Sequence, residues 1–402
     1  MIRLVGILCL LLHNLAAASE PEWSDTELRI IESLSINQLP VLPSSPSNRY
    51  ADNPLAQALG ERLFFDKAFS NNQQFSCASC HEPDKFFTDG LALAKGVHAT
   101  GRNTPTVVGS AWQRWFYWDG RKDSLWSQAL IPFEATNEMG SSRTAVVKQL
   151  LADPEYRSDY VKLFGQIPKA LNPNDLAVAA GPLGDKAMQQ QWNKLGKEAQ
   201  GSINQVYVNI GKSLAAYQRT LSFEPSLFDR YAEQLRSLEN TEEPILNEEQ
   251  IAGLKLFINA EKTQCLQCHN SALLSNRGFH NVGSGTFSGT GLDFGRLLGL
   301  QAVLLDEFNC LGAYSDAQQD QCTALNFLNK RQHIPLQGAF KTPSLRNVRQ
   351  TAPYFHDGRF NTLLEVVNFY NNPPKDNGPH ELRPMGLNPS EVKQLTRFLE
   401  AL

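Results

Sequence analysis

Positive charge is not in excess. The 37 lysines and arginines stand against 41 aspartates and glutamates, a formal net charge of −4, and a nucleic-acid partner, which calls for a basic face, is not expected. Also missing is an apolar run long enough to span a bilayer, which takes about 20 residues; the stretch from Leu4 to Leu12 is broken by His13 and Asn14. Strand-like alternation of apolar and polar residues is sparse, so sheet is not the expected architecture. What remains is an ordinary soluble composition, 42% hydrophobic and 19% charged, in a chain long enough for about two to three domains.

Arg3 precedes that apolar stretch, and Ala16, Ala17 and Ala18 follow it. Residues 1–18 therefore read as a secretory signal peptide cleaved after Ala18, which leaves no membrane anchor in the mature chain. Cys9 departs with the leader, so six of the seven cysteines stay. Four belong to two copies of one string, Cys77-Ala-Ser-Cys80-His81 and Cys265-Leu-Gln-Cys268-His269. The other two, Cys310 and Cys322, are expected to close a short disulfide loop in an exported protein, with two free thiols as the alternative.

C-x-x-C-H is the attachment signature of a c-type haem: the thiols form thioethers with the vinyl groups and the imidazole ligates the iron. The competing reading is a structural zinc site, which needs four protein ligands, usually from two knuckles or a histidine pair. Both strings place a histidine directly after the second cysteine. Two covalent haems are therefore expected, one on Cys77, Cys80 and His81 and one on Cys265, Cys268 and His269. Such attachment takes place outside the cytoplasm, in keeping with the leader; in a bacterium the address is the periplasm.

The strings belong to a longer repeat. Gly-x-x-Leu-Phe precedes each of them (Gly60 to Phe64, Gly253 to Phe257), at the end of an amphipathic helical stretch. Downstream, "NTPTVVGSAWQRWFYWDGR" and "KTPSLRNVRQTAPYFHDGR" align without a gap, each ending in Asp-Gly-Arg before a new helix. A match at two separate places argues for duplication. The expected fold is mainly α, two cytochrome c-like haem domains related by internal duplication, with long ordered loops. Residues 19–237 form the N-terminal domain and residues 238–402 the C-terminal one, on either side of the acidic stretch "SLENTEEPILNEEQ".

An iron with an open sixth position reacts with peroxide, whereas one with two strong protein ligands transfers electrons. In the second half, Leu363, Val366, Val367 and Tyr370 share one helix face, so Tyr370 is either a core residue or a group within reach of haem. Met385, in a Pro-Met-Gly loop, competes with it as an axial ligand. In the first half, Leu125, Gln128 and Ala129 share a face and Glu138 follows in a loop. A carboxylate and an amide over an open iron suit proton transfer with peroxide, while solvated side chains are the plain alternative. His98, in a glycine-flanked loop, is the one imidazole there that could close the site.

With these residues in place, the chain resembles the bacterial dihaem cytochrome c peroxidase superfamily, and within it the MauG-like branch. The resemblance covers nearly the whole mature chain and rests on both haem strings, Trp118-Asp-Gly-Arg121, Gln128, Glu138, Lys341-Thr-Pro-Ser-Leu-Arg-Asn347 and Pro353-Tyr-Phe-His-Asp-Gly358. It implies a peroxidatic N-terminal haem, an electron-transfer C-terminal haem, and His81 and His269 as proximal ligands. It also implies Trp118 as relay between the haems, Gln128 and Glu138 as the distal pair, and a calcium site from Asn103 with the carbonyls of Thr351 and Pro353, an all-oxygen set that suits this hard cation. A homodimer is common in that family.

Two departures define the subtype. The ordinary peroxidases carry a methionine fourteen residues after the histidine of His-Asp-Gly; here Tyr370 stands there, as in the MauG-like branch, and a phenolate lowers the iron's potential. Their blocking histidine maps to Lys95, three residues from His98. Three functions follow as expectations: reduction of hydrogen peroxide with electrons from a cytochrome c or cupredoxin; peroxide-driven oxidation of side chains of a partner protein; or two-haem electron carriage without catalysis. The two strings yield a first prediction. A pyridine haemochrome assay of the exported protein is expected to give two c-type haems per chain, falling to one in Cys77→Ala/Cys80→Ala.

Overall fold

The computed structural model describes residues 23–169, 171, 176, 179–237, 244–287, 291–329, 336–375 and 378–402; the leader read at residues 1–18 lies outside them. In chain order the helices are α1 (Asp25–Leu34), α2 (Pro54–Phe65), α3 (Leu125–Glu134), α4 (Arg143–Ala152), α5 (Pro154–Phe164), α6 (Lys186–Lys194) and α7 (Lys197–Gln218). They continue as α8 (Leu227–Ser237), α9 (Glu248–Ile258), α10 (Cys265–Cys268), α11 (Arg296–Leu305), α12 (Thr323–Asn326), α13 (Leu363–Asn371) and α14 (Pro389–Leu399). Among the described residues the strands are four short ones: β1 (Phe279–His280) pairs antiparallel with β4 (Phe340–Lys341), and β2 (Thr286–Phe287) with β3 (Gly291–Leu292). The architecture is mainly α with long loops.

Local chemistry sets the helix ends. Asn53 Oδ1 accepts the amides of Leu55 and Ala56 ahead of Pro54, a residue suited to the first helical position. The helix that precedes the second string starts on a reciprocal box between Asn247 and Gln250. The repeated glycines then fix how each helix packs. A Cβ on Gly60 would lie 1.9 Å from the Ser213 carbonyl oxygen of α7, and one on Gly253 would lie 2.0 Å from that of Gln394 in α14. Only glycine lets backbone approach backbone at these two crossings.

Duplication is written in the backbone. Gly109 and Asn347, Tyr117 and Phe355, and Gly120 and Gly358 all have positive φ, and each pair is 238 residues apart. At the same offset, a single β-bridge joins Phe116 to Lys122 and another joins Tyr354 to Phe360, and α3 and α13 begin at Leu125 and Leu363.

Two cores result, and each borrows from the other half. The first gathers α2, α3, α4 and α7 but also holds Phe308, with Tyr314 packed against it. The second gathers α9, α13 and α14 and takes Ile31 and Leu34 from α1 with Phe228 and Tyr231 from α8. Arg346 stitches that exchange: it pairs with Asp229 at 2.9 Å and donates to the carbonyls of Leu34 and Ala272.

The Cys310–Cys322 pair is disulfide-bonded. The segment around it clamps the start of α3: the Cys310 amide donates to Asp123 Oδ2 (2.8 Å), and Asp306 Oδ2 accepts Lys122 Nζ (2.6 Å) and Ser127 Oγ (2.8 Å). Asp123 Oδ1 is buried without a hydrogen bond among the described residues, and burial pushes the carboxyl up to about 6. The folded state thus holds this proton more tightly than the unfolded chain, where the value is about 3.9, so stability from this group is lost as pH rises from about 4 through 6. Asp123→Asn is expected to melt above the wild type at pH 7, by the equivalent of about 1–3 kcal/mol, and to converge with it near pH 4; thermal denaturation at both pH values checks this.

Candidate functional site

Each C-x-x-C-H string folds as one tight turn. His81 N–H donates to the Cys77 carbonyl (2.9 Å) and His269 N–H to that of Cys265 (2.8 Å), which puts two thiols and an imidazole on one side of the chain. The imidazoles are then fixed alike. His81 Nδ1 lies 3.0 Å from the Phe87 carbonyl oxygen and His269 Nδ1 3.0 Å from that of Leu274. A carbonyl only accepts, so Nδ1 carries the proton and Nε2 keeps its lone pair. Phe87 and Leu274 both have positive φ, +57° and +48°. Burial lowers the affinity of His81 for a second proton and brings His269 down to about 4, so both rings stay neutral.

In the first half these groups border an open cavity lined by Cys77, Cys80 and His81. Phe64, Val107, Ala129, Pro132 and Met139 give it an apolar wall, and Gln128 and Glu138 bring polar groups to it. Burial holds the Glu138 carboxyl above its ordinary value, opposed by the Arg121 guanidinium. Arg121 is itself placed by Asp119 (3.1 Å) and lies 3.5 Å over the Tyr117 ring. Tyr117 in turn donates to the Gln128 main-chain carbonyl at 3.3 Å, fastening α3 beside the cavity.

His98 lies elsewhere. Its amide and that of Val97 donate to the carbonyls of Asn137 and Glu138 (3.0 and 2.8 Å), and this clasp leaves Gly96 on the cavity wall and the His98 ring exposed. Lys95 is exposed as well.

Between the halves, Trp118 Nε1 donates to the Asn103 carbonyl (3.0 Å), and the Trp118 carbonyl accepts the Lys341 amide of β4 (2.8 Å). The Asn103 amide donates to the His356 carbonyl (2.8 Å), three residues beyond Pro353, so Asn103 meets the turn that carries Thr351 and Pro353. Arg102 pairs with Asp119 of its own half (2.7 Å) and crosses the seam to Asp293 (2.9 Å). In the second half, burial raises the Tyr370 phenol well above its ordinary range, with the Cys268 and Cys265 thiols adding to the effect. Met385 packs half-buried against the cluster that also receives Cys265 and Leu266.

The residues present fit a covalent haem at each string: paired thiols, a neutral half-buried imidazole with its Nε2 lone pair kept and, in the first half, a cavity that both thiols and the imidazole line. A zinc site lacks its ligands, since among the described residues no three His, Cys, Asp or Glu side chains converge on one point. Sequence reasoning missed Tyr117 and Arg121 as parts of this site. The signal was present in the repeated Asp-Gly-Arg, read as a mark of duplication and of family resemblance but not as part of the cavity.

A family model described as di-haem cytochrome c peroxidase matches residues 54–237. The methylamine utilization protein MauG of Methylorubrum extorquens is 30% identical over 87% of this chain and 79% of its own length. The cytochrome-c peroxidase IdrP1 of Denitromonas iodatirespirans is 30% identical over 90% of this chain and 86% of its own. In fold, the diheme peroxidase BthA of Burkholderia thailandensis superposes with a TM-score of 0.63 at 20% identity, covering 89% of this chain and 88% of that one. The place of His98 generates a prediction: His98→Ala is expected to leave the ferric absorption spectrum and the rate of reaction with peroxide unchanged, as stopped-flow spectroscopy would show.

Proposed function

Because this chain belongs to the di-haem cytochrome c peroxidase family, whose named members include peroxidases and MauG, we propose that it reduces hydrogen peroxide to water beside His81, with electrons delivered from the His269 side. One observation carries the reading: Gln128 and Glu138 line the same cavity as Cys77, Cys80 and His81, and His98 does not. A haem bound there supplies the redox chemistry of O–O cleavage.

The side chains supply the rest. The Gln128 amide holds peroxide by hydrogen bonds. Glu138 takes the proton from one peroxide oxygen and returns it to the oxygen that leaves as water, a role suited to a carboxyl whose proton affinity burial has raised. Trp118 carries electrons across the seam, where its indole bonds to Asn103 of one half and its carbonyl to Lys341 of the other. Asn103, with the carbonyls of Thr351 and Pro353, would hold one calcium ion at this junction. Tyr370 would help to hold the haem on Cys265 and Cys268, supported by the charge of those thiols acting on its phenol. The protein works in the periplasm with a small cytochrome c or cupredoxin as donor.

Tyr370 also favours a second reading, in which side chains of a partner protein supply the electrons, since a phenolate-bound iron is a poor store of reducing electrons. Glu138→Gln is expected to slow the reaction with peroxide by about 10²–10⁴-fold while both haems stay attached; an unchanged rate removes Glu138 from the scheme. Electron paramagnetic resonance of the diferric protein is expected to show one high-spin and one low-spin iron, with Tyr370→Phe altering only the low-spin signal. Two low-spin signals would sink the open site. Turnover with reduced cytochrome c or cupredoxin separates the two readings.

A further inference from the structure

The halves are copies, so equivalent positions that differ in charge mark where their tasks diverge. Gly90 and Arg277 occupy one such position, in the loop that leaves the proximal histidine. Both have left-handed backbone, φ +70° and +56°. Each follows a residue whose side-chain oxygen accepts an amide two places on: Asp89 Oδ1 from Leu91 (3.0 Å), Asn276 Oδ1 from Gly278 (2.8 Å). Asn103 and Lys341 are equivalent too, each standing before Thr-Pro. Where the first half has a glycine and a neutral amide, the second has two cations. Arginine at positive φ is strained where glycine is not, and strain kept at one site of a repeat points to a use for the side chain.

The two cations converge. Lys341 Nζ reaches the side-chain oxygen of Gln113 (3.3 Å) and Arg277 Nη1 the main-chain oxygen of Trp112 (3.2 Å). They end on consecutive residues, and Arg114, next in the chain, adds a third charge that Arg277 feels. Both acceptors are neutral, and among the described residues no carboxylate pairs with Lys341, Arg277 or Arg114. Burial alone brings the Lys341 ammonium down to about 8. Arg114 is exposed and Arg277 and Lys341 are half-buried; like charges gathered without a carboxylate repel one another, and partial burial adds to the cost at Lys341, so the cluster calls for an anion.

Its place in the fold names the source. The Asn276 amide donates to the Cys268 carbonyl (2.7 Å), and Ser275 Oγ donates to the Thr342 carbonyl (2.8 Å). The loop bearing Arg277 and the strand bearing Lys341 are thus tied to the second haem string at one end. At the other, the Lys341 amide is bonded to Trp118.

We propose that Arg277 and Lys341, with Arg114 beside them, form a carboxylate cradle that holds the propionate groups of the haem on Cys265 and Cys268. The proposal rests on the reading that a haem is attached there. Cations at the haem edge favour the less positive, reduced iron, so the cradle raises the potential of the second haem against the pull of a phenolate ligand. The first half has Gly90 and Asn103 at these positions.

The test uses the holoprotein and spectroelectrochemical titration, with the two irons resolved by their spectra. Arg277→Gly, which installs the sister residue in a backbone suited to it, and Lys341→Gln are each expected to move the C-terminal midpoint to more negative potential and leave the N-terminal midpoint in place. Lys341→Arg, which keeps the charge, is expected to hold the wild-type value. The propionate bending vibration of the C-terminal haem is expected to shift in the same two variants by resonance Raman. Midpoints and vibration unmoved with both haems attached would overturn the cradle. So would a wild-type C-terminal midpoint that shifts when inorganic phosphate is added, an effect lost in Lys341→Gln, since that marks a site for free anions. A mass showing no haem on Cys265 and Cys268 in the wild type would overturn the cradle and the functional reading together; lost peroxide turnover with the midpoint shifts intact would overturn the functional reading alone.

Discussion

Two hydrogen bonds of 3.0 Å, from Nδ1 of His81 to the Phe87 carbonyl and from Nδ1 of His269 to the Leu274 carbonyl, settle where each imidazole aims its lone pair. The bond fixes tautomer and ring plane at once, and a ring held this way is a stronger and better directed metal ligand. It requires a carbonyl turned back toward the string, which is what the positive φ at Phe87 and Leu274 accomplishes. The cavity wall, the helix carrying Gln128 and the seam at Trp118 all take their meaning from that fixed point.

Around two identical anchors the halves were free to diverge. The first keeps a carboxyl and an amide on its cavity; the second carries a phenol, Tyr370, on α13. Gln128 does not stand alone: Tyr117 grips its main chain, Arg121 lies over Tyr117, and Asp119 positions Arg121. In the second half the equivalent of Tyr117 is Phe355, which has the same left-handed backbone but no hydroxyl. One exchange of residue type thus removes the brace that the first cavity uses.

The haem strings, the mainly helical class and the duplication were legible because each is local or repeated: a five-residue signature, a helical period, an ungapped alignment ending in Asp-Gly-Arg. Glu138 and Gln128 were legible as candidates through resemblance, but the nine residues of sequence between them say nothing of a shared wall. Arg121 was in view and its task was not, since stacking on Tyr117 depends on backbone conformations that a sequence does not print. The least legible part was the traffic between halves. Arg346 meets Asp229 across 117 positions and Leu34 across 312, and Asp306 meets Lys122 across 184. Nothing periodic announces such pairings, because they are set by how finished surfaces fit.

That traffic has a mechanical meaning. α1 and α8 lie in the core of the second string, while Phe308 and its neighbours, downstream of that string, lie in the core of the first. Two beads on a thread could swing, and the gap an electron must cross would vary with every swing. Here each bead has its neighbour's staves built into its wall. In the scheme proposed above, the separation of two haem irons would thereby be set by the stiffness of packed side chains rather than by the length of a linker, and tunnelling across it would keep a constant rate while the molecule tumbles.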